Sequence, residues 1–116
     1  MKLIIAGSRT FTDYNKLKQI CDQFLQNQNN IEIVSGAYYR GADKIGEQYA
    51  KERGYELTRF PADWDKFGRA AGPKRNEQMA EYADALIAFW DRESKGTKHM
   101  IELAKQKNLR ITIVKF

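Results

Sequence analysis

Short apolar runs and amphipathic stretches alternate along the whole chain, and this alternation constrains its fold more than any other feature. Lys2–Ala6 is an apolar run closed by Gly7 and reads as a strand. Asp13–Gln28 carries Leu17, Ile20, Cys21, Phe24 and Leu25 at helical spacing, with Thr12 or Asp13 as its cap and Asn27–Asn30 as its stop. Ile31–Val34 reads as a second strand. Gly41 and Ala42 then open a helix that runs to about Arg53 and closes at Gly54, a residue suited to a left-handed cap. Tyr55–Phe60 is a third strand, and Pro61–Gly72 a polar loop containing Trp64 and Phe67. Pro73 suits the first turn of a helix ending near Ala83. The strand Ala85–Phe89, the helix Gly96–Lys107 and the strand Arg110–Lys115 complete the series.

Strict alternation of this kind predicts a parallel sheet covered by helices on both faces. The expected fold is an α/β, Rossmann-like three-layer sandwich, one domain over residues 1–116. Its five-stranded parallel sheet should run in the order 3-2-1-4-5, with the apolar first strand at the centre. Ligands of such sheets sit beyond the carboxyl ends of the strands, where strand order reverses. Here that is between the first and fourth strands.

Composition removes several function classes. No apolar run approaches the length needed to span a bilayer. The opening residues match neither a signal nor a transit peptide, so the expected location is cytoplasmic, with no membrane partner. Cys21 and His99 are each alone of their kind, which excludes an internal disulfide and a His/Cys zinc site. Cys21 reads as a buried thiol and His99 as solvent-facing or satisfied in the core. Neither a metal nor a cofactor is called for.

The four segments that follow strand ends at the expected crevice are Gly7–Asp13, Ser35–Lys44, Phe60–Asn76 and Trp90–Lys98. They hold ten Lys or Arg and six acids, and so carry +4 of the whole chain's +5. That concentration favours an anionic ligand. After the first strand, Gly7 permits close backbone approach, Ser8 offers a hydroxyl and Arg9 a planar fork that matches phosphate. After the second, Ser35-Gly36 and Arg40-Gly41-Ala42-Asp43 lead into a helix whose N-terminal amides form an anion site. The glycines are spaced as in a Walker loop, but Ala42-Asp43 replaces the required Lys-Ser/Thr, and no GxGxxG is present. The Asp43 side chain reads as a helix cap.

Arg75 on the first turn of its helix opposes the helix dipole, a cost that a bound anion would offset; Asn76 follows it, and Met79 reads as core. Trp90 reads either as a lid on the core or as a stacking surface for a base, with Asp91 beside it. Ser94, Lys95, Gly96 and Thr97 enter the last helix as a phosphate cradle or, more simply, as a cap.

Taken in order, these pieces resemble the SLOG superfamily, and most closely its YspA-type, cpYpsA-related branch. The resemblance rests on Ile5-Ala6-Gly7-Ser8-Arg9, Gly41-Ala42-Asp43, Pro61-Ala62-Asp63-Trp64, Gly72-Pro73-x-Arg75-Asn76-x-x-Met79, and Ala83–Asp91 followed by Ser94-x-Gly96-Thr97. It covers nearly the whole chain. It implies a pocket for nucleotides or nucleotide-derived ligands, ADP-ribose-like ones included, and a homodimer. More distant relatives are the LOG phosphoribohydrolases, which cleave the N-glycosidic bond of nucleoside monophosphates, and the DprA/Smf DNA-processing proteins. The LOG Arg-Lys-x-x-Met segment resembles Arg75-Asn76-x-x-Met79, but the Pro-Gly-Gly of its second motif is missing here. The position of the LOG catalytic Glu, three after Thr97, is Met100. A thioether cannot replace a carboxylate as acid–base or as stabiliser of an oxocarbenium ion.

Three functions compete. The first is a binding or sensing domain for a phosphorylated, nucleotide-like small molecule, with Arg9, Arg40 and Arg75 neutralising phosphates and Trp90 or a tyrosine of the second loop stacking the base. The second is an N-glycosidic-bond hydrolase with catalytic Asp91 or Asp43 in place of the missing Glu. The third is single-stranded nucleic-acid binding through basic loops with Trp64, Phe67 and Trp90, which the interspersed acids disfavour.

Overall fold

The computed structural model describes residues 1–116. Five strands, β1 (Lys2–Gly7), β2 (Glu32–Ser35), β3 (Glu56–Arg59), β4 (Ala85–Trp90) and β5 (Arg110–Lys115), form one sheet in the order β3-β2-β1-β4-β5. Every neighbouring pair is parallel. The helices are α1 (Tyr14–Phe24), α2 (Ala42–Arg53), α3 (Trp64–Phe67), α4 (Ala71–Tyr82) and α5 (Lys95–Gln106).

Side-chain alternation along β1 separates the two faces. Leu3 and Ile5 pack with Leu17, Cys21 and Leu25 from α1 and its C-cap, and with Ala42, Tyr49 and Ala50 of α2. Ile4 and Ala6 pack on the other side with Met79 and Ala80 of α4 and Met100, Ile101 and Ala104 of α5. Both faces of β1 and β4 are therefore buried, which explains their near-continuous apolar sequences. The edge strands β3 and β5 carry intermediate and exposed residues.

Local signals set most of the boundaries. The Asp13 carboxylate caps α1 by accepting from Lys16 N at 3.1 Å. Gly54 closes α2 in the left-handed region, φ 72°. The helix expected to reach Gln28 ends at Phe24, where Leu25 becomes the C-cap. The stretch expected to be an open loop contains α3 and a 3-10 turn, Gly68–Ala70, which runs directly into α4. Helix α4 thus begins at Ala71, and Pro73 lies third within its first turn.

Candidate functional site

The loop after β1 crosses to one face of the sheet and the loop after β4 to the other. Their divergence opens a cavity of about 600 Å³ at the carboxyl ends of the strands. Ser8 ties the surrounding segments together. Its N–H donates to Phe89 O at 2.9 Å, its carbonyl accepts from Phe11 N (3.2 Å) and Ala42 N (3.3 Å), and its hydroxyl accepts from Asp91 N (3.1 Å). The second loop is pressed onto the first at Gly41. This residue has φ 74°, and a Cβ there would lie 2.5 Å from the Arg9 Cα, so both backbone and space require glycine.

Gly36 makes room for Arg75 and Asp43. A Cβ on it would stand 2.7 Å from Arg75 Nη1 and 3.0 Å from Asp43 Oδ2. Arg75 donates from Nη1 to Gly36 O and from Nε to Asn76 Oδ1 at 2.9 Å. Asn76, itself buried, donates from Nδ2 to Gly96 O at 3.3 Å and lies 3.3 Å from His99 Nδ1. The α4 and α5 ends are thereby locked together, and His99 is held within this polar network.

Asp43 does not cap α2. The N-cap position is Gly41, and the Asp43 carboxylate turns back to accept from Tyr38 N at 3.0 Å. It is only 9% exposed, and burial raises its pKa from 3.8 to about 6, against the opposing pull of the Tyr38 N–H and the Arg75 charge. Burial likewise lowers the pKa of Arg75. Asp91 behaves in the opposite way. Its Oδ1 accepts from Ser94 N (2.8 Å) and Glu93 N (2.9 Å), and these bonds hold its pKa below the ordinary carboxylate value. The cavity therefore contains two carboxylates whose environments push them apart.

At the α5 entrance, Ser94 is the N-cap, accepting from Thr97 N at 3.3 Å, with the two hydroxyls 3.0 Å apart. The Lys95 and Gly96 amides, first in the helix, have no hydrogen-bond partner.

Arg9, Arg40, Arg75 and Lys95 line the cavity. The ion pairs of the molecule use Lys18, Arg53, Arg59 and Lys107 instead; of the four, Arg75 acts on the Asp43 carboxylate at longer range, and Arg9, Arg40 and Lys95 have no ion-pair partner. The Arg9 guanidinium lies 4.3 Å from the centre of the Tyr38 ring. Four cations face three carboxylates here, Asp43, Asp91 and Glu93. This is a smaller excess than the loop composition suggests, because six of the ten basic residues of those loops lie outside the cavity. No three His, Cys, Asp or Glu side chains converge as metal ligands would.

Of the residues singled out in the sequence, Gly7, Ser8, Arg9, Arg40, Asp43, Arg75, Asn76, Asp91, Ser94, Gly96 and Thr97 line this cavity. Ser35, Gly36, Gly41 and Trp90 do not. Ser35 donates to Glu47 Oε2 at 2.7 Å and accepts from Ala37 N at 3.0 Å, bracing its own loop. The Trp90 indole donates to Ser94 O at 3.1 Å and packs on the core of the α4–α5 face, which fits the lid reading. Tyr38, by contrast, faces the cavity. The candidate site residues left out Thr10 and Glu93, which fall in the crevice segments, and Met79 and Met100, which the resemblance placed in its motif and at the LOG glutamate position and which form an apolar floor. Both methionines fall at core spacing, and only the close approach of α4 and α5 brings them beneath the cavity.

Fold and cavity together define a Rossmann-like α/β protein with a ligand crevice at its topological switch point. The model of the YspA, cpYpsA-related SLOG family matches residues 1–67, more than half of the chain, and the chain belongs to that family. The match takes in β1 through α3, and so the first two loops of the cavity but not Arg75, Asn76 or the α5 entrance. The chain is also similar to the Gene 61 protein of Mycobacterium phage D29, with 29% identity over 117 residues, 95% of this chain and 93% of that one. No solved structure matches.

Proposed function

We propose that the cavity binds a phosphorylated nucleotide or nucleotide-derived molecule, a nucleoside phosphate or an ADP-ribose-like compound, in a sensing or binding role. One observation carries this reading: three cations without ion-pair partners, Arg9, Arg40 and Lys95, line a single cavity with the half-buried Arg75 and two helix amides that no protein group accepts from. An anion bound among them would be attracted by the cations and would accept from the helix amides. Family membership agrees with a nucleotide-related ligand.

A thermal-shift panel of nucleoside phosphates and ADP-ribose compounds tests it. A true ligand at a hundredfold its Kd should stabilise the protein by about 2.7 kcal/mol, a rise of several degrees. Arg9→Ala and Arg40→Ala, both at exposed positions, should each weaken binding about tenfold or more, as loss of a charged hydrogen bond does, with little change in the ligand-free Tm. If no compound in the panel raises the Tm, the reading fails.

Asp43 favours a second reading, hydrolysis of the ligand's N-glycosidic bond. A carboxyl with a pKa raised to about 6 and another held below its ordinary value line the same cavity, and such divergent environments suit an acid–base pair. In this role Asp43 protonates the departing base as the C1′–N bond breaks, Asp91 stabilises the positive charge developing on the sugar, and water adds to C1′, its released proton returning to Asp43. Met100, at the LOG glutamate position, is 1% exposed and contributes only apolar surface. Released base should be detectable by chromatography and absent with Asp43→Asn. A bound nucleotide that survives prolonged incubation intact rejects hydrolysis and leaves binding standing.

A further inference from the structure

A second cavity, of about 420 Å³, adjoins the first, and Tyr38 lines both. Lys44, Gln48 and Lys51 enter its wall from one face of α2, spaced by four and three residues, and Arg59 enters from the end of β3. Glu47, the one acid in the wall, is already engaged. Its Oε2 accepts from Ser35 Oγ at 2.7 Å and from Arg59 Nε at 3.1 Å. Lys44 and Lys51 have no ion-pair partner, whereas Glu52 and Arg53 on the same helix are paired with Lys18 and Asp22 of α1. One face of α2 is thus internally compensated, and the other presents uncompensated positive charge around a concavity.

The boundary between the cavities is aromatic. Tyr38 and Tyr39 have ring centroids 4.7 Å apart, and Tyr39 is 72% exposed. Arg40 lies over the Tyr39 ring at 5.9 Å, as Arg9 lies over Tyr38. A ring system resting on this pair would hold one phosphate in the main cavity and direct a second toward Lys44 and Lys51. A nucleoside monophosphate has one phosphate and can satisfy only one of the two cationic walls.

We infer that the ligand is dinucleotide-like, with two phosphate-bearing nucleoside units, one received in the main cavity and the other across Tyr38 and Tyr39 by Lys44 and Lys51. The inference rests on the phosphate-binding reading of the main cavity, and the test separates the two. Binding of AMP and of the phosphorylated adenosine dinucleotide pApA is measured by calorimetry for the wild-type chain, for Lys44→Ala/Lys51→Ala and for Arg9→Ala. Both lysines are exposed, so the double variant should keep the wild-type Tm. The wild type should bind pApA about tenfold or more tightly than AMP, equivalent to about 1.4 kcal/mol. The double variant should lose that advantage and bind AMP as before. Arg9→Ala should weaken both compounds. If pApA binds no more tightly than AMP, or keeps its advantage in the double variant, the second site is rejected and the first stands. If neither compound binds, the inference falls, and the reading of the main cavity falls with it only where the panel of nucleoside phosphates and ADP-ribose compounds also leaves the Tm unchanged. If affinity instead climbs steadily with oligonucleotide length beyond two units, the occupant is a strand and the inference is overturned.

Discussion

Asp43 is a carboxylate held where burial opposes its charge. Its folded pKa of about 6 stands above the unfolded 3.8, so the folded state binds the extra proton and stability falls as pH rises between these values. Asp43→Asn keeps an oxygen for the Tyr38 N–H and removes the buried charge. It should therefore stabilise the ligand-free protein at neutral pH, with an upper bound of about 3 kcal/mol set by a shift of about two pKa units. The gain should vanish below pH 3.8, where aspartate is neutral in both states. Thermal unfolding of the two proteins across this range is the measurement, and parallel curves would show that Asp43 is not strained by burial. The residue type and its position after Arg40-Gly41-Ala42 were legible in the sequence. Its burial was not, because the walls around it come from Gly36 and from Arg75 on α4, far away in the chain.

Beyond the apolar packing of α4 on α5, the polar link between the two helices at the cavity runs through the Asn76 side chain. Asn76→Ala removes the donor to Gly96 O and the acceptor for Arg75 Nε. A half-buried guanidinium would lose a partner, so a cost of about 1–2 kcal/mol is expected, together with weaker binding, since Arg75 and Gly96 both border the cavity. Denaturant unfolding gives the first quantity and ligand titration the second; wild-type values in both would remove Asn76 from the site. The sequence made α1, α2 and α5 legible through apolar periodicity, and Gly54 through its cap. Helix α3 escaped because four residues show no periodicity. The available signal was Asp63, whose carboxylate accepts from Lys66 N at 3.1 Å as an N-cap.

Across the whole molecule, the strongest ion pairing lies away from the cavity. Arg53 grips Asp22 with Nε at 3.0 Å and Nη2 at 2.7 Å, and the Tyr49 hydroxyl donates to the same carboxylate at 2.6 Å. Arg53 first, then Tyr49, lower the Asp22 pKa below 3.8. The stability this contributes is present above that value and lost as pH falls through the depressed folded pKa. Because Asp22 is partly exposed, Asp22→Asn should cost only about 1 kcal/mol at neutral pH, and the wild-type advantage should fade on acidification below pH 3.8. An undiminished advantage in acid would mean that packing, not charge, joins α1 to α2. Strand order was legible because the most apolar strands must be central; the balance of charge in the cavity was not, because sequence tells which loops carry cations but not which way they turn. The knot at Ser8 has one more consequence. It fixes the β1 and β4 loops and the start of α2 to one another, so the interior of the crevice has little freedom to reshape itself around different guests. A family member that accepts another molecule should accordingly keep the small residues near positions 7, 8 and 41 and vary the outer ring at 9, 38–40 and 95, where side chains can be exchanged without undoing the fastening beneath them.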